Sequence, residues 1–160
     1  MSFSPPQARA VDGTPFAIGV VAARFNEELV DALLARVTAG LRAAGVKERR
    51  ISLVRVPGSH EVPWAAAELA RSRCDCVIGL GVLIGGDTSH HEMVGQSVSH
   101  ALLRVALETR VPVINGVIVV NTLAQAEARC RGRIDRGAEF AAAALAMAAL
   151  KRSKRKQLSR

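Results

Sequence analysis

The chain has 160 residues, 49% hydrophobic and 22% charged, which fits one globular domain with a sizeable core and leaves little room for a second. Aromatic residues make up 3%, with no Tyr, four Phe and one Trp, which argues against stacking platforms for single-stranded nucleic acid and puts the core on Ala, Val, Leu and Ile. The formal charge of +8 sits in the tail: residues 151–160 carry six basic side chains and no acid, leaving 16 basic against 14 acidic in residues 1–150.

In chain order, residues 1–14 are rich in Pro, Gly and polar side chains and read as an extended or loose segment with no apolar leader. Phe16 to Ala23 is an apolar run of strand character ending at Arg24-Phe25-Asn26. Asn26 reads as the N-cap of an amphipathic helix in which Leu29, Val30, Leu33, Leu34, Val37 and Leu41 recur at helical spacing until Gly45 stops it. The unit then repeats. Ile51 to Val56 is a strand, Pro57-Gly-Ser-His-Glu-Val-Pro63 a loop, and Trp64 to about Arg73 a short helix. Cys76 to Ile84 is a strand apolar almost throughout, and Met93, Val94, Val98, Ala101, Leu102 and Val105 mark a third helix. Val113 to Val120 is the fourth strand, followed by a helix from Thr122 to about Cys130 and an Ala-rich helix from about Asp135 to Leu150.

Strands alternating with helices predict an α/β fold, a three-layer αβα sandwich on a four-stranded parallel sheet with right-handed crossovers. The division expected is residues 1–14 as N-terminal segment, 15–150 as the single domain and 151–160 as a solvated basic tail. The competing role for that tail is nucleic-acid binding. Cys74, Cys76 and Cys130 have neither Cys-x-x-Cys nor metal spacing and read as small buried hydrophobes in a reducing compartment. The apolar stretch Phe140–Leu150 is too short to span a bilayer, so a soluble cytoplasmic protein is expected.

Ligands of such a fold sit where the strands' carboxyl ends meet the loops. The loop Gly85-Gly86-Asp87-Thr88-Ser89-His90-His91-Glu92 is the most informative one. Its glycines let backbone N–H groups approach an anion at the positive end of the next helix, with Ser89 and Glu92 spaced as a capping box. Gly79, Gly81 and Gly85 do not have dinucleotide spacing, two of them falling inside a strand, and no Walker loop occurs. His90, at the helix start, is the candidate proton acceptor, although the adjacent His91 leaves open which ring faces a site. The pair has no third ligand at metal spacing. Arg129 could grip phosphate, Phe25 could stack on a planar heterocycle, and Glu61 could accept hydrogen bonds from hydroxyl or ring N–H groups.

In this order, Arg24–Asn26, Val56–Pro63, Gly81–His90, Pro112–Val117, Gln125–Arg129 and Arg136–Glu139 resemble the lumazine synthase family over roughly residues 15–150. The resemblance implies a flavodoxin-like fold and condensation of 5-amino-6-(D-ribitylamino)uracil with 3,4-dihydroxy-2-butanone 4-phosphate, releasing inorganic phosphate, without metal or organic cofactor. It implies that Phe25 stacks on the pyrimidine beside Asn26, and that Ser59, His60 and Glu61 with Val82, Leu83 and Ile84 line the ring and ribityl pocket. Gly86, Asp87, Thr88 and Arg129 then grip phosphate, His90 transfers protons, and Asn115 and Arg136 complete the substrate site.

Departures from the family pattern are Gly85 in place of Arg, His60 in place of an apolar or aromatic residue, Asn115 in place of Phe, Arg136 in place of Lys, and a linker from Arg129 to Gly137 one residue short. Asn115 and His60 keep a second expectation open, a catalytically silent relative that binds a flavin or lumazine or builds a shell. The resemblance further implies a homo-oligomer with the site between neighbours. Residues up to about Gly13 would cross to an adjacent sheet, and Arg129 and Arg136 would arrive from the subunit opposite Phe25 and His90. The altered loop Arg131–Asp135 favours a free pentamer over a sixty-copy shell.

Overall fold

The computed structural model describes residues 10–158, and the first nine residues, with most of the segment expected to cross to a neighbour, lie outside that range. Four strands, β1 (Ile18–Ala23), β2 (Ile51–Val56), β3 (Cys76–Ile84) and β4 (Val113–Val120), form one sheet in the order β2-β1-β3-β4, with every pairing parallel. The helices are α1 (Glu27–Ala43), α2 (Val62–Arg71), α3 (His90–Thr109), α4 (Leu123–Cys130) and α5 (Arg136–Leu158). The last three strands have the bounds expected from their apolar runs. The helices α2 and α3 begin earlier than their apolar residues indicated, because Pro63 serves in the first turn of α2 and the polar His90-His91-Glu92 forms the first turn of α3.

Side-chain alternation along the strands divides the core in two. Ile18, Val20 and Ala22 of β1 and Cys76, Ile78, Leu80 and Val82 of β3 face α1, α4 and α5. Val21, Ala23 and Val77 face α2 and α3. The second face carries Gly19, Gly79 and Gly81, which let α2 approach the sheet: a β-carbon on Gly79 would lie 2.7 Å from Val62 Cγ1. The strand glycines thus serve packing rather than a nucleotide turn. All three cysteines are buried and unpaired, and burial pushes the Cys76 thiol up to about 12 and Cys130 to about 11.

Close backbone approach also joins α1 to α5. A β-carbon on Gly40 would lie 2.8 Å from Ala141 Cβ, and one on Gly137 would fall on Arg36 Cβ and within 3.0 Å of Leu33 O. Arg36 donates to Gly132 O at 2.9 Å and Arg131 O at 2.7 Å, pinning the α4–α5 loop to α1. Gly137→Val should therefore cost about 1–3 kcal/mol through overpacking, seen as a lower urea midpoint with unchanged slope. A midpoint equal to that of the parent would show that the crossing is loosely packed.

Two expectations change at the chain ends. Residues 11–16 are not loose on the body: Gly13 is buried, its N–H donates to Ala44 O at 2.7 Å, and Phe16 N donates to Gly13 O at 3.0 Å. The tail set apart at residue 151 is continuous with α5, which runs to Leu158 because its base is bonded to the opposite end of the sheet. Lys151 Nζ donates to Cys74 O at 2.8 Å, and the Arg152 guanidinium grips Asp75 at 2.9 and 2.7 Å while stacking over Phe16.

Candidate active site

Strand order reverses at β1, which sends one crossover toward β2 and the next toward β3, so the loops at the carboxyl ends of β1 and β3 diverge and leave a crevice. There a cleft of ≈ 390 Å³ opens, its walls drawn from the loops after β1, β2 and β3 and the start of α3. Phe25, Ser59, His60, Glu61, Thr88 and His90 line it, with Asn26, Gly86 and Val82–Ile84 beside them.

The β1 loop is set by Asn26. Its backbone is left-handed, with φ 56° and ψ 45°, and its side chain makes no capping bond to α1 as the sequence suggested. Instead its Nδ2 donates to Val82 O at 2.8 Å, tying the β1 loop to the end of β3. Phe25, next to it, is 73% exposed, an unusual state for so large an apolar ring and one that suits a stacking surface.

Behind Phe25, Ser59–Glu61 form a 3-10 turn leading into α2. Ser59 is buried because Gly81 makes room for it: a β-carbon there would fall on the hydroxyl. Glu61 turns one carboxylate oxygen back onto the Gly58 N–H at 2.8 Å, which fixes the turn at the cleft wall. Val82, Leu83 and Ile84 supply the apolar floor at the end of β3.

On the far wall, Gly86 has nothing within 4 Å of its β-position and Thr88 lines the cleft, so the loop presents backbone to the open space at the head of the 20-residue α3. Ser89 occupies the N-cap, but no side-chain capping bond forms with it. The capping box lies elsewhere, between Thr122 and Gln125 at the start of α4. His90 and His91 both line the cleft. His90 is exposed, while His91 is half-buried with Nε2 3.2 Å from Asn121 Oδ1.

Four expected residues fall outside the cleft lining. Asp87 is exposed on the loop but does not line the space. Asn115 lies on β4, accepting from Val117 N at 3.1 Å. Arg129, in the last turn of α4, donates to Gln125 O at 3.0 Å, and Arg136, at the start of α5, pairs with Glu139 at 2.6 Å. Thus the α4–α5 corner holds the arginines on a different part of the surface from Phe25 and His90. Sequence reasoning missed Gly58, His91 as a bonded group, and Val94. Only the adjacency of His91 to His90 could have signalled any of them. Among the described residues no group of three or more His, Cys, Asp or Glu gathers as a metal site, and no helix is long and apolar enough to cross a membrane.

A family profile described as 6,7-dimethyl-8-ribityllumazine synthase matches residues 15–152. Relatives carrying that name include a protein of Polaromonas sp., 42% identical over 141 residues, covering 88% of this chain and 90% of its own. One of Kineococcus radiotolerans is 46% identical over 138 residues, 84% of each chain. One of Aquifex aeolicus is 45% identical over 139 residues, 86% of this chain and 90% of its own.

Proposed function

The chain belongs to the 6,7-dimethyl-8-ribityllumazine synthase family, and we propose that the cleft at the switch point of its sheet is where it joins 5-amino-6-(D-ribitylamino)uracil to 3,4-dihydroxy-2-butanone 4-phosphate. The observation that carries this assignment is the convergence, in one crevice, of an exposed aromatic ring, an open glycine loop at a helix start and an imidazole.

The pyrimidine stacks on Phe25 over the floor of Val82, Leu83 and Ile84, with Ser59, His60 and the Glu61 carboxylate available to its N–H groups and ribityl hydroxyls. The phosphate end of the second substrate lies against the backbone of Gly86–Thr88, where the α3 N-terminus favours an anion. Condensation of the 5-amino group with the ketone expels one water, phosphate leaves by elimination, and closure of the ribitylamino nitrogen on the remaining carbonyl expels a second water and completes the lumazine. His90, beside both ends, carries protons between these steps. Holding two substrates together supplies much of the acceleration.

The chain forms a homo-oligomer, and we place the site between neighbours in a pentameric ring within the cytoplasm. Among the described residues nothing covers Phe25, and the arginines and Asn115 stand outside the cleft lining of their own chain. Each supports a heterologous contact in which Arg129, Arg136 and Asn115 complete the neighbour's cleft. Exposed Trp64 on α2 and Met93, Leu103 and Leu107 on α3 supply apolar surface for such a contact, while the open edge of β2 is able to accept an added strand.

Mixing the protein with both substrates should generate fluorescent lumazine and inorganic phosphate in equal amounts. Binding of the pyrimidine with no product above the uncatalysed rate would overturn the assignment of the reaction to this cleft.

A further inference from the structure

The two imidazoles that open α3 stand in different surroundings. His91 Nε2 lies 3.2 Å from Asn121 Oδ1, just past the end of β4, while its Nδ1 is buried with no hydrogen-bond partner among the described residues. A proton on Nε2 satisfies the Asn121 oxygen and leaves Nδ1 a bare acceptor; a proton on Nδ1 would be an orphaned buried donor. The Nε2–H tautomer is therefore the one that bridges α3 to β4.

Beneath this bridge lies Gly85. A β-carbon there would stand 2.9 Å from Asn121 O, 3.1 Å from Asn121 Cα and 3.3 Å from His91 Cε1. The space that a side chain would take at position 85 is filled by the Asn121 backbone and the His91 ring. Asn121 is itself held, its N–H donating to Gln125 Oε1 at 2.9 Å, and Gly85 N donates to Val120 O at 2.8 Å. The glycine loop is thus anchored at both ends, at Gly85 by β4 and at His91 by Asn121. Between these anchors Gly86–Ser89 is exposed, and nothing among the described residues stands within 4 Å of the β-position of Gly86.

We propose that the Asn121–His91 hydrogen bond is a latch that holds the Gly86–Ser89 loop in its anion-facing form, making His91 a positioning residue for the phosphorylated substrate. This rests on the assignment of that loop to the phosphate end. His91 acts through the loop: it sets where the backbone of Gly86 and Thr88 stands, and so how well the phosphate is held. The pyrimidine, stacked on Phe25, is held by other residues.

The test uses the full-length oligomer with Asn121→Ala, His91→Phe and the conservative Asn121→Asp, which keeps an acceptor oxygen. Losing one neutral hydrogen bond should raise KM for the butanone phosphate about fivefold in Asn121→Ala and His91→Phe. KM for the ribitylaminouracil should stay within about twofold and Asn121→Asp close to the parent. Amide exchange across residues 86–89 should quicken in the first two variants and not in the third. Unchanged exchange and unchanged KM in Asn121→Ala and His91→Phe would overturn the latch, as would a fall in kcat with both KM values and loop exchange intact. If the parent itself makes no lumazine, the assignment of the reaction fails on its own, and the exchange comparison still judges the latch.

Discussion

Oligomers assembled by co-expressing equal amounts of His90→Ala and Arg129→Ala chains should recover about a quarter of the parent's activity, although each variant alone is nearly inactive at low substrate. The single losses have separate causes. Removing His90 takes away one general acid–base group, with a fall in turnover on the order of 10²-fold. Removing Arg129 takes away a charge-assisted grip on phosphate and should raise KM for the phosphorylated substrate about 10- to 100-fold. Recovery follows from geometry. His90 lines the cleft of its own chain and Arg129 does not, so a shared site needs one intact group from each neighbour, a combination that arises at about one contact in four in a random heterologous ring. Activity no greater than the mean of the two variants would place Arg129 outside the neighbour's site. Sedimentation of the parent as a monomer would defeat the shared site outright, while a particle near sixty copies would defeat only the pentamer.

Arg152→Ala should destabilise the fold from a position far from the cleft, with a penalty that shrinks in acid. Asp75 is buried at the amino ends of the strands, where it accepts from Ala17 N at 2.9 Å and from the Arg152 guanidinium at 2.9 and 2.7 Å. Burial is the largest single influence on its carboxyl and opposes ionisation. The Arg152 and Ala17 hydrogen bonds, with the charges of Arg152 and Lys151, together outweigh it and hold the group below the usual carboxylate range. A lowered folded-state value gives stability that is present above the ordinary Asp value near 4 and lost as pH falls through the lowered one. Because the Arg152 side chain is 39% exposed, solvent screens the pair, and a loss of about 1–2 kcal/mol at neutral pH is expected rather than the 3–5 of a fully buried pair. Calorimetry at pH 7 and pH 2 tests this, since the gap between parent and variant should narrow as Asp75 becomes protonated in both, leaving what the Arg152 bond to Pro15 O and its stacking over Phe16 contribute. A gap of equal size at both pH values would assign the effect to lost packing against Phe16.

Periodicity and composition in the sequence by themselves determined the alternation of four strands with helices, because apolar runs and 3.6-residue spacing are local properties. They also placed Phe25, Ser59, Thr88 and His90 on loops at one end of the sheet, since chain order and parallel pairing suffice for that. Capping and helix length were decided less locally. Asn26 has the right composition for a cap, yet its amide is drawn to Val82 O, a strand away in space. The basic residues after Leu150 read as tail because nothing nearby in sequence answers their charge, while their partners Cys74 and Asp75 lie some 77 residues upstream. The site divided on the same principle. Sequence could name Arg129 and Arg136, but only the tertiary structure decided that they stand outside the cleft lining of their own chain, where Arg36 of α1 holds the α4–α5 corner. The bond between His91 and Asn121, and the reason position 85 has no side chain, likewise follow from how closely the end of β4 approaches the start of α3, a distance that no spacing along the chain encodes.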